Sequence, residues 1–385
     1  MTDDSTVHES SHAKQVAQRL RERIAAAGGW LPFDAYMQIA LYEPGLGYYS
    51  AGAHKLGAGG DFTTAPEISP LFGICLARHC LEVLANTQDG EVLEIGAGSG
   101  RLAFDVLQAM AAAGQPPARY RILEVSADLR QRQQQLLTTL PPSLAQRVEW
   151  LDRPPQQAWT GALLANEVLD ALPVQRFSRL QGEWQSLGVA IGDAGALSWQ
   201  SRGADAELVH ALSELALPTE RGDGYESELC LMLVPWFKDV TAQLSRGVAL
   251  FVDYGLPRHE YYSAARDRGT LRCHYQQRAH DDPFAHPGME DITAWVDFTR
   301  VAEAADACGM DVLGYATQAA ALLGLGIESL VSAAADEPTR IRRASEARQL
   351  LMPTEMGETF KVMALGRDFD APLAAFQYQD LRSRL

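Results

Sequence analysis

The chain has 385 residues, which is long enough for one large domain with additions or for two domains. Apolar residues make up 47% of the sequence and charged residues 21%, a composition that excludes a largely disordered chain. The net charge of −16 at pH 7 argues against a nucleic-acid-binding protein, because phosphate backbones bind basic surfaces.

Cysteine and histidine spacing gives no sign of a disulfide framework or a metal site. The five cysteines are scattered and form no Cys-x-x-Cys pair. His274, His280 and His286 share one segment, but none lies three or four residues from another, so no metal is expected. The polar, acid-containing N-terminus and the lack of an apolar run of ~20 residues favour a cytoplasmic bacterial protein without membrane insertion.

The first 90 residues are predicted to form a helical cap. Residues 1–12 are predicted to be disordered, and an apolar periodicity then indicates a helix that stops at Gly28 and Gly29. A second helix follows, and a loop rich in Gly, Thr and Pro leads into a third helix through SPLFGICLARHCLEVL. We assign residues 13–90 to the cap.

From residue 91 to 385, short β-rich runs alternate with helical ones, which is typical of a parallel sheet built from βαβ units. The seven predicted strands are EVLEIG, RYRILEVS, RVEWLD, GALLANEV, GVALFVDYG, DVLGYAT and FKVMALGR. Two insertions are predicted, at about 177–227 and 256–298. The predicted fold class is therefore α/β, a Rossmann-like seven-stranded sheet with a helical N-terminal cap and two insertions.

A glycine-rich loop, LEIGAGSGR, follows the first predicted strand. Gly96, Gly98 and Gly100 would let the chain turn tightly into a helix and let a cofactor lie against bare backbone. Arg101 stands where a dinucleotide-binding loop has its third glycine, which disfavours a nicotinamide-dependent oxidoreductase. Glu94 is unfavourable beside a pyrophosphate but suits a cofactor with a cationic amino-acid part. The loop therefore predicts S-adenosylmethionine binding.

Two further acids follow the second and third predicted strands. Glu124 could accept both hydroxyls of a ribose, and its distance from Gly100 matches the length of one helix and one strand. Asp152 could accept a hydrogen bond from the adenine amino group. The alternative is an open α/β sheet with ordinary surface acids at its loops. The ordered set of glycines and acids favours the cofactor site.

Motifs in a fixed order resemble the MidA family of class I S-adenosylmethionine-dependent methyltransferases. They cover about residues 30 to 365 and are GLGYYS, GDFTTAPEISPLFG, LEIGAGSGRL, NEVLDALPV, VDYG, GTLRCHYQQ, HPGMEDITAWVDF and LGLGI. The family's mitochondrial member is a protein-arginine methyltransferase needed for respiratory complex I assembly. The resemblance implies a methyltransferase sheet, S-adenosylmethionine as donor and a protein arginine as acceptor, with a complex I subunit as one candidate. The acidic chain suits a basic acceptor.

Three departures from the family pattern bear on this interpretation. The chain has AGSG where the family usually has Pro-Gly-Arg-Gly, and Val168 and Leu169 replace two phenylalanines. Trp295 replaces a histidine in a segment expected to lie over the substrate side. The loss of that polar group affects the expected substrate rather than the use of the cofactor.

The fourth predicted strand ends in Asn166, Glu167 and Asp170, where open sheets bind their ligands. Glu167 and Asp170 are predicted to hold an acceptor guanidinium, and helix capping is the alternative for both. Asn166 could bind the amino-acid part of the cofactor. The resemblance also implies that the loop with Asp61 folds over the cofactor. Asp61 is thus a third candidate catalytic residue, and Thr64 is either a cofactor contact or a helix cap.

A different class of function remains open, since the chain could be a non-enzymatic assembly factor that binds a partner protein through the cap and insertions. The intact set of Glu94, Gly96, Gly98, Glu124 and Glu167 argues against it. Asp253 and Asp291 are reserve candidates for the acceptor site, and plain structural roles are the alternative for both. The sequence predicts no oligomeric state.

Overall fold

A computed structural model describes residues 4–50, 63–88, 90–215, 217 and 222–385. In these ranges the helices are α1 Asp4–Ala26, α2 Phe33–Tyr42, α3 Ala65–Ile68, α4 Pro70–Ala85, α5 Arg101–Ala112, α6 Ala127–Leu137, α7 Pro142–Ala145, α8 Ala206–Glu214, α9 Leu233–Thr241, α10 Arg258–Tyr261, α11 Phe298–Ala307, α12 Gln318–Gly324, α13 Ile327–Ser332 and α14 Glu337–Leu351. The strands are β1 Leu31–Pro32, β2 Glu91–Ile95, β3 Tyr120–Leu123, β4 Val148–Leu151, β5 Trp159–Asn166, β6 Gln175–Leu180, β7 Glu183–Ile191, β8 Leu197–Gly203, β9 Glu226–Leu229, β10 Leu244–Leu256, β11 Arg272–Tyr275, β12 Arg278–His280, β13 Asp291–Thr293, β14 Val296–Asp297, β15 Asp311–Thr317 and β16 Phe360–Arg367.

The central sheet has the strand order β15-β16-β10-β5-β2-β3-β4. The five strands from β10 to β4 are parallel, and β16 lies antiparallel to both β10 and β15. All seven predicted strands are present, and the two-residue strand β14 adds to the sheet beside β10. The predicted α/β fold with a seven-stranded Rossmann-like sheet is confirmed.

Both faces of the central sheet are covered by helices, which explains why its strands read as nearly continuous apolar runs. On one face Leu164 and Leu250 pack with the apolar sides of α4, α5, α12 and α14. On the other face Leu163 and Phe251 pack with α9 and α11. Since successive strand residues point to opposite faces, a run such as VALFV in β10 is buried throughout.

The helical cap is shorter at its end and longer at its start than the sequence predicts. The buried side chains of α4, such as Phe72 and Cys75, belong to the same core as Val106 and Ile122 of the central sheet domain. The boundary predicted at residue 90 is therefore corrected, because α3 and α4 pack on the sheet. At the other end α1 begins at Asp4, so the segment predicted to be disordered is helical from that residue.

The cap and the two insertions share a second core. Leu20 of α1 and Phe33 of α2 pack with Val189 of the first insertion and with Cys273 and Ile292 of the second. Strand β1 pairs with β7, which joins the cap to the sheet β1-β7-β6-β9 and its side strand β8. The second insertion carries the sheet β12-β11-β13. Among the helices of the described ranges, none has the length and apolar character needed to cross a bilayer.

Candidate active site at the carboxyl edge of the sheet

A cavity of about 620 Å³ lies where the central strands end, a size typical of small-molecule sites. One wall comes from the loops after β2, β3 and β5, and the opposite wall comes from α2, the turn after it and the start of α3. Predicted site residues in this lining are Thr64, Glu94, Gly96, Gly98, Glu124, Asn166 and Glu167. Asp61, the third candidate catalytic residue, lies outside the described residues.

The loop after β2 turns through left-handed backbone at Gly96, Gly98 and Gly100, with φ of 66°, 54° and 86°. Side chains other than hydrogen are strained in this region, which accounts for the three glycines. Within the described lining, Gly96 and Gly98 face the cavity and Gly100 does not. A Cβ on Gly100 would lie 3.2 Å from the Cα of Gln133. Gly100 thus packs closely against α6, and its contact with the cofactor stays a prediction.

Glu94 is buried at the end of β2, where it lines the cavity. The hydroxyl of Tyr120 donates to its Oε2 at 2.6 Å. Burial raises the pKa of Glu94 to about 7, against the opposing effect of the Tyr120 hydrogen bond. A nearby cation favours the ionised form of such a carboxyl. The surroundings of Glu94 therefore suit a cationic group in the cavity.

Glu124 is held in place by two hydrogen bonds. The backbone N–H of Ser126 donates to its Oε1 at 2.9 Å, and the side-chain amide of Gln133 donates to its Oε2 at 3.0 Å. The same amide donates to the carbonyl oxygen of Gly98 at 3.0 Å, and Trp150 donates to Gln133 at 3.0 Å. Gln133 thus connects the glycine loop to Glu124. No sequence pattern marks Gln133, because an interior helix position shows no signal for such contacts.

Asp152 is not part of the cavity wall among the described residues. Its side chain is 87% exposed and pairs with Arg130 at 2.7 Å. It lines a neighbouring groove of about 370 Å³, which shares Glu124, Val125 and Ala127 with the cavity. Asp152 follows the last residue of β4 and shares this groove with Glu124, but it is not among the described residues that line the cavity with Glu94, Gly96 and Gly98.

Glu167 occupies a strained turn directly after β5. Its φ is 53°, in the left-handed region that non-glycine residues rarely adopt and that costs about 1–3 kcal/mol. The Oδ2 atom of Asp253 accepts from the backbone N–H groups of Val168, Leu169 and Asp170 at 3.1, 2.9 and 3.3 Å. These bonds hold the turn. Asp253 is thereby an anchor for the turn rather than an acceptor contact.

The carboxyl of Glu167 lies at the cavity wall beside Asn166, whose amide donates to its Oε1 at 2.9 Å. Burial raises the pKa of Glu167 to about 8, and Asp170 adds to this shift. Hydrogen bonds from Asn166 and from the backbone of Ala65 at the start of α3 oppose it. The buried Oδ1 of Asn166 finds no hydrogen-bond partner among the described residues. Such an acceptor is available to a ligand N–H group.

Asp170 is not among the described residues that line the cavity, and its contact with the acceptor stays a prediction. It is buried, and a hydrogen bond links its side chain to that of Tyr254. Burial raises the pKa of Asp170 to about 6, although this hydrogen bond lowers it. The turn sends Glu167 and Val168 toward the cavity and Asp170 away from it. Asp170 therefore supports the wall from behind.

Tyr42 of α2 and Tyr49 of the GLGYYS segment line the cap side of the cavity. The sequence predicts no role for either tyrosine. The rings of Tyr42 and Tyr49 stack with their centroids 5.4 Å apart. Tyr42 donates to the carbonyl oxygen of Ala171 at 2.9 Å, and Tyr49 donates to Asp291 at 2.9 Å. These contacts join the cap to the β5 turn and to β13. The sequence signal for Tyr49 is the GLGYYS motif, which is one of the motifs that carry the family resemblance.

The sequence predicts that Trp295 lies over the substrate side of the site. Within the described lining it does not face the cavity. Its ring lies 6.4 Å from that of Tyr254, and the guanidinium of Arg266 lies 5.7 Å from the Trp295 ring. Trp295, which replaces the family's histidine, therefore packs with Tyr254 and Arg266 outside the described cavity lining.

The parallel sheet, the glycine turn after β2, the buried acid after β3 and the cavity at the carboxyl edge define a class I methyltransferase fold. The family model described as "Putative S-adenosyl-L-methionine-dependent methyltransferase" matches residues 75–316. The chain belongs to this family of S-adenosylmethionine-dependent methyltransferases, as the MidA resemblance predicted.

Similar proteins agree with this family. A Burkholderia thailandensis protein crystallised with S-adenosyl-homocysteine is 42% identical, with a TM-score of 0.93 and 98% of each chain covered. The mitochondrial protein arginine methyltransferase NDUFAF7 of Danio rerio is 29% identical over 92% of this chain and 88% of its own. Its Drosophila melanogaster homologue is also 29% identical, over 96% of this chain and 88% of its own. S-adenosylmethionine is therefore confirmed as the cofactor.

The residues of the cavity fit this cofactor. The glycines after β2 leave the backbone accessible to a ligand. Glu124 provides a carboxylate that is held in place by hydrogen bonds. Glu94 and Asn166 provide hydrogen-bond acceptors for an amino group. We expect Glu94, Gly96, Gly98 and Asn166 to hold the amino-acid part and Glu124 the ribose. When bound, S-adenosylmethionine supplies a methyl group on a positively charged sulfur.

Replacement of Asp152 by Asn is expected to weaken the binding of S-adenosylhomocysteine by less than about fivefold. The reason is that Asp152 is exposed and already paired with Arg130, and exposed charged contacts contribute little. Isothermal titration calorimetry of the wild type and Asp152→Asn measures this directly. A larger loss of affinity would return Asp152 to the adenine-binding role that the sequence predicts.

Proposed function

We propose that the protein transfers a methyl group from S-adenosylmethionine to a guanidinium nitrogen of an arginine in a protein acceptor. The observation that carries this proposal is the Glu167 carboxyl, which a strained turn presents at the wall of the cofactor cavity. Strained backbone is concentrated at functional sites, where it fixes a side chain that the chemistry needs.

The role of Glu167 follows from the chemistry of methyl transfer to nitrogen. The nitrogen must approach in line with the bond that breaks, so the protein must orient the acceptor and exclude water. An ionised Glu167 can accept hydrogen bonds from two guanidinium N–H groups, and it can receive the proton that the methylated nitrogen loses. The stacked rings of Tyr42 and Tyr49 offer an apolar wall for the arginine side chain.

The similar proteins support arginine as the acceptor, since both NDUFAF7 relatives are named protein arginine methyltransferases. The net charge of −16 favours a basic acceptor protein. We propose a subunit of respiratory complex I as the first acceptor to test. Glu167 and Asn166 are the proposed acceptor-binding and cofactor-binding residues of this turn.

The value of kcat/KM for the donor, which reports the ligand-free protein, is expected to rise with pH and to level off above about pH 8. Burial raises the pKa of Glu167 to about 8, so at lower pH this carboxyl is mostly protonated. The protonated carboxyl lacks the negative charge needed to form an ion pair with the guanidinium of the acceptor. The arginine acceptor stays charged across this range. Measurement of kcat/KM from pH 6 to 9.5 should give a rise of about tenfold per pH unit at the acid end. A flat profile would contradict the assignment of Glu167.

The proposed function is tested by mass spectrometry of arginine methylation in the parent organism with and without this gene. We expect methylated arginine on one or a few proteins to disappear in the deletion strain. The wild-type gene should restore it, and a gene encoding Glu167→Gln should not. If Glu167→Gln restores complex I but not methylation, complex I assembly depends on the protein but not on its methyl transfer, whereas methylation by both genes would remove Glu167 from the reaction. Unchanged arginine methylation in the deletion strain would refute the proposed acceptor.

A further inference from the structure

The second insertion contains a cluster of three side chains, Cys273, His280 and Glu290, which we call the insertion cluster. Each residue can offer a metal-ligand atom, and these sulfur, nitrogen and oxygen atoms all lie within 4.8 Å of one another. The Nε2 atom of His280 is 3.0 Å from an Oε atom of Glu290. We propose that the insertion cluster binds a divalent metal ion of the zinc class.

Strand pairing explains how these residues meet. In the antiparallel pair β11 and β12, Cys273 lies directly opposite His280, so both side chains share one face of the sheet. Cys273 also lies opposite Ile292 of β13. Glu290 is two residues before Ile292 and therefore falls on the same face. Sequence spacing missed the cluster because its members come from three adjacent segments rather than from one local pair.

Burial and charge favour a cation at this position. Cys273 and Glu290 are fully buried, and His280 is partly exposed. The buried carboxyl of Glu290 contacts His280, and a cation among the three side chains would be shielded from solvent, so that its attraction to a carboxylate is strong. A divalent ion that displaces the thiol proton would balance one thiolate and one carboxylate, with the imidazole neutral.

The ligand types select the zinc class of metals. Magnesium and calcium take oxygen ligands, whereas zinc takes thiolate, imidazole and carboxylate together. Three protein ligands leave a fourth position for water, and the partly exposed His280 marks the side from which an ion can enter. The neighbour of Glu290 along the chain is Asp291, which accepts the hydrogen bond of Tyr49 at 2.9 Å. The metal would thus fix β13, which supports the cap wall of the cavity.

Metal binding is tested on the full, untagged chain after removal of metal with a chelator. Titration with Zn²⁺ by calorimetry should give one ion per chain. Cys273→Ser, His280→Gln and Glu290→Gln should each weaken zinc binding by at least about a hundredfold, since even outer contacts of metal ligands are worth 10–100-fold. The matched controls Cys308→Ser and His259→Gln, which lie outside the cluster, should bind as the wild type does.

Cobalt(II) gives a second measurement that does not depend on the variants folding. Bound to the wild type, it should show an absorption band from thiolate-to-cobalt charge transfer, and Cys308→Ser should keep this band. Zinc should also raise the melting temperature of the wild type. Absence of saturable zinc binding or of the thiolate band in the folded wild type overturns the proposal. Zinc binding by a folded Cys273→Ser variant with unchanged affinity overturns it as well.

Discussion

Glu167→Gln should lower the rate of methyl transfer by a factor of about ten to a thousand, the range for losing ~1.4–4 kcal/mol of transition-state stabilisation. The amide keeps the size of the side chain but cannot carry the negative charge that holds a guanidinium. Affinity for S-adenosylhomocysteine should stay the same, because its sulfur is uncharged. The melting temperature should not fall, because Asp253 still holds the turn through its backbone bonds.

Three measurements on one variant separate the catalytic role from a structural role. They are the turnover rate, the affinity for S-adenosylhomocysteine and the melting temperature. The matched control is Glu355→Gln, which makes the same change at an exposed position and should behave as the wild type. A destabilised Glu167→Gln variant with normal turnover would show that this glutamate only supports the fold.

Glu124→Ala should weaken the binding of S-adenosylhomocysteine by about 10- to 150-fold, which corresponds to about 1.5–3 kcal/mol for the loss of hydrogen bonds to a charged group. Ser126 and Gln133 already orient this carboxylate, so little freedom is lost when a ribose binds. Calorimetric titration of the purified variant measures the loss. The effect should be confined to cofactor binding, with turnover at saturating cofactor reduced much less.

A carboxylate on the neighbouring strand provides the control for Glu124. Glu149 lies in β4, pairs with Arg121 at 3.4 Å and is not among the described residues that line the cavity. Glu149→Ala should therefore bind S-adenosylhomocysteine as the wild type does. Equal affinity of the wild type and Glu124→Ala would remove Glu124 from the ribose site.

The central sheet could be predicted from the sequence because its signals are local. Strands buried on both faces give short apolar runs, and the turns between them are marked by Gly, Pro and Asp. Gly96 and Gly98 could be placed for the same reason, since the tight turn after β2 requires positive φ at both. The boundary of the cap could not be predicted, because α4 and α1 are both amphipathic and only tertiary packing separates them.

The details of the site depend on contacts between distant segments, and these were not predictable. The register between β5 and β10 places Asn166 beside Val252, which brings Asp253 under the Glu167 turn. The register between two strands that are distant in the chain cannot be read from the pattern of either strand. One or two positions along the turn also decide whether an acid faces the cavity, which is why Glu167 reaches the wall and Asp170 does not.

The raised pKa values of Glu94 and Glu167, about 7 and about 8, make ligand binding a proton-releasing event. A cation that settles beside these carboxyls lowers their pKa, so protons pass to the buffer when it binds near pH 7. Near Glu167 the sulfonium of the donor has this effect and the neutral sulfur of the product does not, whereas the amino group expected beside Glu94 is common to donor and product. Through Glu167, alkaline conditions should thus strengthen the binding of the donor relative to that of the product.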